Sequence, residues 1–103
     1  MENNFKIACV QTEPKPDFES ALTEIFSLSS QAINEGAKFI ALPEYCGGLK
    51  TENGMLRPPS SIEEDHIVLN ELKKYSKKNK VFILIGSIAI LNSEGKIFNR
   101  SFI

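Results

Sequence analysis

With 103 residues, the chain is long enough for one small domain and too short for two. Hydrophobic residues make up 42% and charged residues 24%, a soluble, globular balance. The 12 basic and 13 acidic residues leave a formal net charge of −1, and no basic stripe interleaved with aromatics is present, so a nucleic-acid partner is not expected.

Residues 5–11 form a short apolar stretch with β-branched members, and Pro14 and Pro16 break the loop after it. This pattern predicts a strand and a loop. Asp17 can cap a following helix. Phe18, Ala21, Leu22, Ile25, Leu28, Ala32 and Ile33 recur at helical spacing up to Gly36, which predicts an amphipathic helix over 17–35. Residues 38–42 read as a second strand, ended by Pro43. A strand, a helix of this length and another strand make a βαβ unit with parallel strands.

Residues 46–61 hold Gly47, Gly48, Gly54, Pro58 and Pro59 and read as a long loop, functional or mobile. Ser61 with Glu64 has the form of a capping box, which predicts a second helix from Ser61. Its acids Glu63, Glu64 and Asp65 come first and its lysines 73, 74, 77, 78 and 80 come last, an order that suits the helix dipole. The lysines are expected to form a solvated face rather than a binding patch. His66 in the first turn is expected to be exposed and inert. Residues 81–91 are almost continuously apolar, as in a strand buried on both faces. A turn at 92–95 sends 96–103 back antiparallel. The order β-α-β-α-β-β is an α/β layered architecture. An apolar, strand-like ending at Ser101-Phe102-Ile103 predicts a chain truncated relative to the fold it encodes, with one sheet face uncovered.

Two cysteines, Cys9 and Cys46, make no disulfide framework. Together with Met1-Glu2-Asn3-Asn4, which has no positive charge and no apolar run behind it, they predict a cytoplasmic protein without a secretory leader. The run 81–91 is too short to span a bilayer as a helix, so no membrane partner is expected. One histidine and two dispersed cysteines make no zinc site, and no phosphate loop or dinucleotide fingerprint is present.

Glu44 is the residue that could carry chemistry. It follows a strand directly, and ligands of open α/β sheets bind at the carboxyl ends of strands. Burial there would raise its pKa toward that of a useful general base. The alternative is a loop glutamate held in a salt bridge. Tyr45 beside it could line a pocket or simply pack. Cys9, within the first strand, is expected to be a small buried hydrophobe. Cys46 is expected to approach the pocket rim without chemistry.

Four segments in register carry a resemblance. Lys6-Ile7-Ala8-Cys9-Val10-Gln11, the run Gly36 to Glu44, Ile83-Leu84-Ile85-Gly86-Ser87 and Phe98-Asn99-Arg100-Ser101 together resemble the nitrilase superfamily of carbon–nitrogen hydrolases. The resemblance implies the N-terminal part of an α-β-β-α sandwich and a Glu-Lys-Cys catalytic set that hydrolyses a small amide or nitrile. It implies no cofactor and no metal. Only Glu44 carries over: neither Cys9 nor Cys46 matches the nucleophile's place, and the family's lysine falls beyond Ile103. The stretch from Pro43 to Leu49 looks most like the branch of ω-amidases and deaminated-glutathione amidases. The resemblance implies a chain inactive alone, a possible second chain bearing the lysine and cysteine, and a possible homo-oligomer. A non-catalytic α/β binding or interaction module is the competing reading.

Overall fold

The computed structural model describes residues 4–103. The chain begins with β1 (Lys6–Cys9), α1 (Phe18–Asn34) and β2 (Ala37–Leu42). A small hairpin, β3 (Lys50–Glu52) with β4 (Met55–Arg57), and the two-residue β5 (Ser60–Ser61) follow. A 3-10 turn (Glu63–Asp65), α2 (Ile67–Asn79), β6 (Phe82–Leu91) and β7 (Ile97–Phe102) complete it. The expected α/β order is present, with the hairpin and β5 inserted where a loop was expected.

One sheet holds β1, β2, β6, β5 and β7. β1–β2, β2–β6 and β5–β6 are parallel, and β7 returns antiparallel on β6. β2 pairs with residues 82–85 of β6 and β5 with residues 89–90. β7 occupies the opposite edge. The gap between β2 and β5 along one edge of β6 is therefore about three residues long, and the chain after β2 fills it.

Both helices lie on one sheet face. Asp17 caps α1, its Oδ1 accepting the Ser20 N–H at 2.7 Å. Ala21, Leu22 and Ile25 are buried, and Leu22 and Ile25 meet Ile40, Leu42, Val68, Leu69, Leu72, Ile83 and Ile85 in one cluster. Phe26 stacks on Tyr75 at 4.8 Å between the helices, and the Tyr75 hydroxyl is 2.7 Å from Ser30 Oγ. No helix among the described residues is long and apolar enough to cross a membrane.

Three expectations need correction. The Ser61–Glu64 capping box does not form, because Ser61 is committed to the sheet opposite Ile90 and its hydroxyl donates to the Ile62 carbonyl. The helix starts at Ile67 instead, and the three acids sit in the 3-10 turn before it. His66 is buried rather than exposed, at 0%. The 3-10 turn shifts it from a helix surface to the seam between turn and helix. Cys9 is exposed rather than buried, because β1 turns Ile7 and Cys9 toward the face that carries no helix.

β6 is enclosed on both sides only over its second half, where residues 87–90 are all buried. Over its first half burial alternates, and Phe82 is 68% exposed. Phe82 stands in a row with Phe39 and Ile7 across the parallel strands. The expected uncovered sheet face is this one. The lysines of α2 (73, 74, 77, 78) and Lys80 are exposed, as a solvated face should be.

Candidate functional site

The candidate site is built where β2 ends. Pro43 cannot donate to a ladder, so β2 stops there. The next residues still hold to β6 by other means. The Pro43 carbonyl accepts from Ser87 N–H at 3.4 Å, and Cys46 N–H donates to the Ser87 carbonyl at 3.2 Å. Tyr45 N–H donates to Ser87 Oγ at 2.9 Å. Ser87 thus serves the loop with all three of its polar groups, while itself only 3% exposed.

Gly86 makes this approach possible. A Cβ there would stand 2.5 Å from the Pro43 carbonyl carbon and 2.6 Å from Leu42 O, so no side chain fits. The Gly86–Ser87 step is also where the β6–β7 register shifts. Such bulges bend a strand and re-aim what lies beside it. Ser101 Oγ fastens the bulge by donating to Gly86 O at 2.6 Å.

Beyond Cys46 the loop dives inward. Gly47 and Gly48 are buried, and Gly47 faces Ile88, Val68 and Phe18. Gly48 has φ +127°, and a Cβ would meet Lys15 O at 2.7 Å. Leu49 N–H donates to that same carbonyl at 2.7 Å.

Glu44 rides on the outside of this pinned loop. It is exposed, while Tyr45 beside it is half-buried and Cys46 buried. The salt-bridge alternative finds no partner: none of the ion pairs among the described residues includes it. Tyr45 has φ +52°, a left-handed conformation that bulky residues rarely adopt. Its hydroxyl accepts from Asn99 Nδ2 at 2.9 Å. The two residues line a cavity of about 400 Å³ with Glu52, Met55, Leu56, Arg57 and Ile97, so the Tyr45 side chain borders a pocket. The hairpin β3–β4 forms its outer wall.

Neither cysteine joins Glu44 as a nucleophile would. Cys46 belongs to the core, 3% exposed, and burial pushes its thiol up to about 12. A thiol so raised is protonated at neutral pH and unreactive. Its place is deeper than the pocket rim where it was expected. Cys9 lines a shallow depression with Ala41 and Pro43 on the open side of the sheet.

Sequence reasoning singled out Glu44 and Tyr45 but missed Gly86 and Ser87 as the pair that holds them. The signal was present, since these two residues interrupt an otherwise apolar strand. Asn99 and Arg100 were noted only as part of a resemblance. Asn99 holds the Tyr45 hydroxyl, and Arg100 pairs with Glu63 at 2.8 Å.

The fold is a mixed, mostly parallel sheet with both helices on one face. The chain matches the carbon–nitrogen hydrolase family over residues 6–103, and it belongs to that family. It is also similar to nitrilase homolog 2 of Dictyostelium discoideum, with 30% identity over 103 residues. That alignment covers 99% of this chain and 31% of the relative, so the chain spans about a third of the relative's length.

Proposed function

We propose that the chain supplies the general base, Glu44, of a carbon–nitrogen hydrolase that cleaves a small amide or nitrile through a cysteine thiolate. The observation that carries this reading is the mounting of Glu44. Among the described residues its carboxylate stands free of ion pairs, on a backbone that Ser87 fixes at three points. Pre-set geometry of this kind is what a proton-transferring group needs. The left-handed Tyr45 beside it is backbone strain of the sort that concentrates at functional sites.

In the proposed reaction Glu44 takes the proton of a cysteine thiol as sulfur attacks the carbonyl carbon. Glu44 passes that proton to the departing amine, then takes one from the water that cleaves the thioester and returns it to the cysteine sulfur as the acid leaves. A lysine stabilises the oxyanion. The lysine and the cysteine come from polypeptide outside these 103 residues, in the same protein or in a second chain. The cavity beside Tyr45 borders the substrate, a small amide of the kind taken by the ω-amidase and deaminated-glutathione amidase branch. The protein works in the cytoplasm and associates as a homo-oligomer.

The test is ammonia release from small amides. The 103-residue chain alone is expected to give none, because a base without its nucleophile forms no acyl-enzyme. Joined to the part of the Dictyostelium relative that it does not span, it is expected to gain turnover that Glu44→Gln abolishes. Turnover by the chain alone that Cys46→Ala removes would overturn the assignment.

A further inference from the structure

His66 is the one histidine of the chain, and its side chain has no exposure. Nε2 is 3.2 Å from the Ala89 carbonyl oxygen on β6. A carbonyl only accepts, so Nε2 carries the ring proton and Nδ1 holds the lone pair. Among the described residues nothing hydrogen-bonds to Nδ1. The ring lies against Phe18 of α1, with centroids 4.7 Å apart at 45°. Phe18 in turn faces Gly47: a Cβ on that glycine would be 3.7 Å from Phe18 Cε1. Val68, the second residue of α2, flanks the same glycine, 3.5 Å from where its Cβ would be. A single layer of side chains therefore joins His66 to the loop that carries Glu44.

We infer that neutral His66 is a positioning residue for the Glu44 loop, and that protonation at Nδ1 releases this loop. The inference draws on the reading of Glu44 as a base only for its bearing on catalysis. Release of the loop is measured on the chain itself, so it can fail while that reading stands.

The physical argument is one of uncompensated charge. A proton at Nδ1 places a cation in an apolar site with no acceptor for the new N–H. Phe18 from α1 and the Ala89 carbonyl from β6 meet the ring, and neither titrates. The loop contributes Cys46 to the same core, a thiol that stays neutral. Along the histidine's own segment stand Glu63, Glu64 and Asp65, all exposed or half-buried, with Glu63 taken by Arg100. On α1 the acids nearest Phe18 are Asp17 and Glu19, both exposed. No buried carboxylate is at hand to offset the charge, so the ring must reach water. The cover over it is the layer of Phe18 and Gly47.

The sign agrees with that geometry. Burial lowers the pKa of His66 from its ordinary 6.5, and the Ala89 bond opposes the shift without cancelling it. The open state therefore binds the proton more readily than the closed state. The closed loop keeps its full stability above pH 6.5 and loses it as the pH falls from there toward the lowered value.

Amide hydrogen exchange tests this directly. The reporters are Cys46, Gly48 and Leu49, whose N–H groups bond to Ser87 O, Tyr45 O and Lys15 O. After division by intrinsic exchange rates, their protection is expected to fall about tenfold or more between roughly pH 7.5 and pH 5. Amides of the β2–β6 ladder are expected to keep theirs. His66→Gln can still donate to Ala89 but takes no proton, and its loop protection is expected to stay level. Protection that is flat in the wild type, or that falls equally in His66→Gln, would overturn the inference. If His66→Gln does not fold, the wild type still decides. The single histidine ring signal reports its own titration, and loop release at any other pH would dismiss the coupling.

Discussion

At the scale of single residues, the site depends on what is absent from Gly86. The carbonyl carbon of Pro43 lies 2.5 Å from the place a Cβ would occupy, and the close atoms are backbone. They cannot swing aside as the end of a long side chain could. Gly86→Ala is therefore expected to push the Pro43–Cys46 loop off β6 and to destabilise the chain by about 1–3 kcal/mol, the usual range for overpacking. Urea unfolding of the two proteins checks this, and an unchanged midpoint would show that the contact is softer than its geometry. Such a role is hard to read from a sequence, because a glycine in a strand signals close approach without saying to what. Glu44 stood out as a candidate for the opposite reason, being a charged residue set at once after an apolar strand and a proline. Cys9 and His66 were misread because side-chain chemistry alone does not reveal which face of a strand or turn is covered.

At the scale of elements, the chain's periodic segments declared themselves. Apolar spacing gave α1 to within a residue at each end, and the β-branched runs gave β1, β2 and β6. The hairpin β3–β4 escaped notice because all its residues are exposed, so neither strand shows an inward and outward alternation. The start of α2 was misplaced because Ser61 and Glu64 have capping-box spacing, while the backbone of Ser61 was already engaged by β6. Asp17 shows the contrasting case, a cap that forms as its sequence suggests. The Ser20 backbone N–H, bound to the carboxylate, holds the Asp17 pKa below its ordinary 3.8. A group depressed in the folded state contributes stability above its unfolded value and loses it as pH falls through the folded one. Asp17→Ala is thus expected to lower the melting temperature at neutral pH, with the gap closing as pH drops below 3.8. A gap that is the same at neutral and acidic pH would assign the loss to something other than the charged cap.

At the scale of the whole molecule, the helices cover one sheet face and leave the other to solvent. Ile7 is 55% and Phe82 68% exposed, and the Phe39 and Phe82 rings lie 6.2 Å apart between them. Cys9, Ala41 and Leu84 form the next row along the same strands. Two apolar rows side by side are a patch rather than scattered surface residues, and contiguous patches bind other apolar surface. β1 adds an edge with unpaired backbone groups, which favours pairing with another strand. The chain is therefore expected to bind a hydrophobic dye while folded and to self-associate as its concentration rises. Phe82 is the residue to alter, because it is the most exposed aromatic of the row and contributes least to the helix-covered core. Phe82→Lys should reduce both dye binding and association while changing stability by less than about 0.5 kcal/mol, as surface substitutions do. Sedimentation and dye fluorescence on the two proteins separate the outcomes. Equal association would place the sticky surface elsewhere, with the β1 edge the next to test. A large loss of stability would mean that Phe82 is covered in solution by a second copy, and that the uncovered face is the one on which the chain pairs with itself.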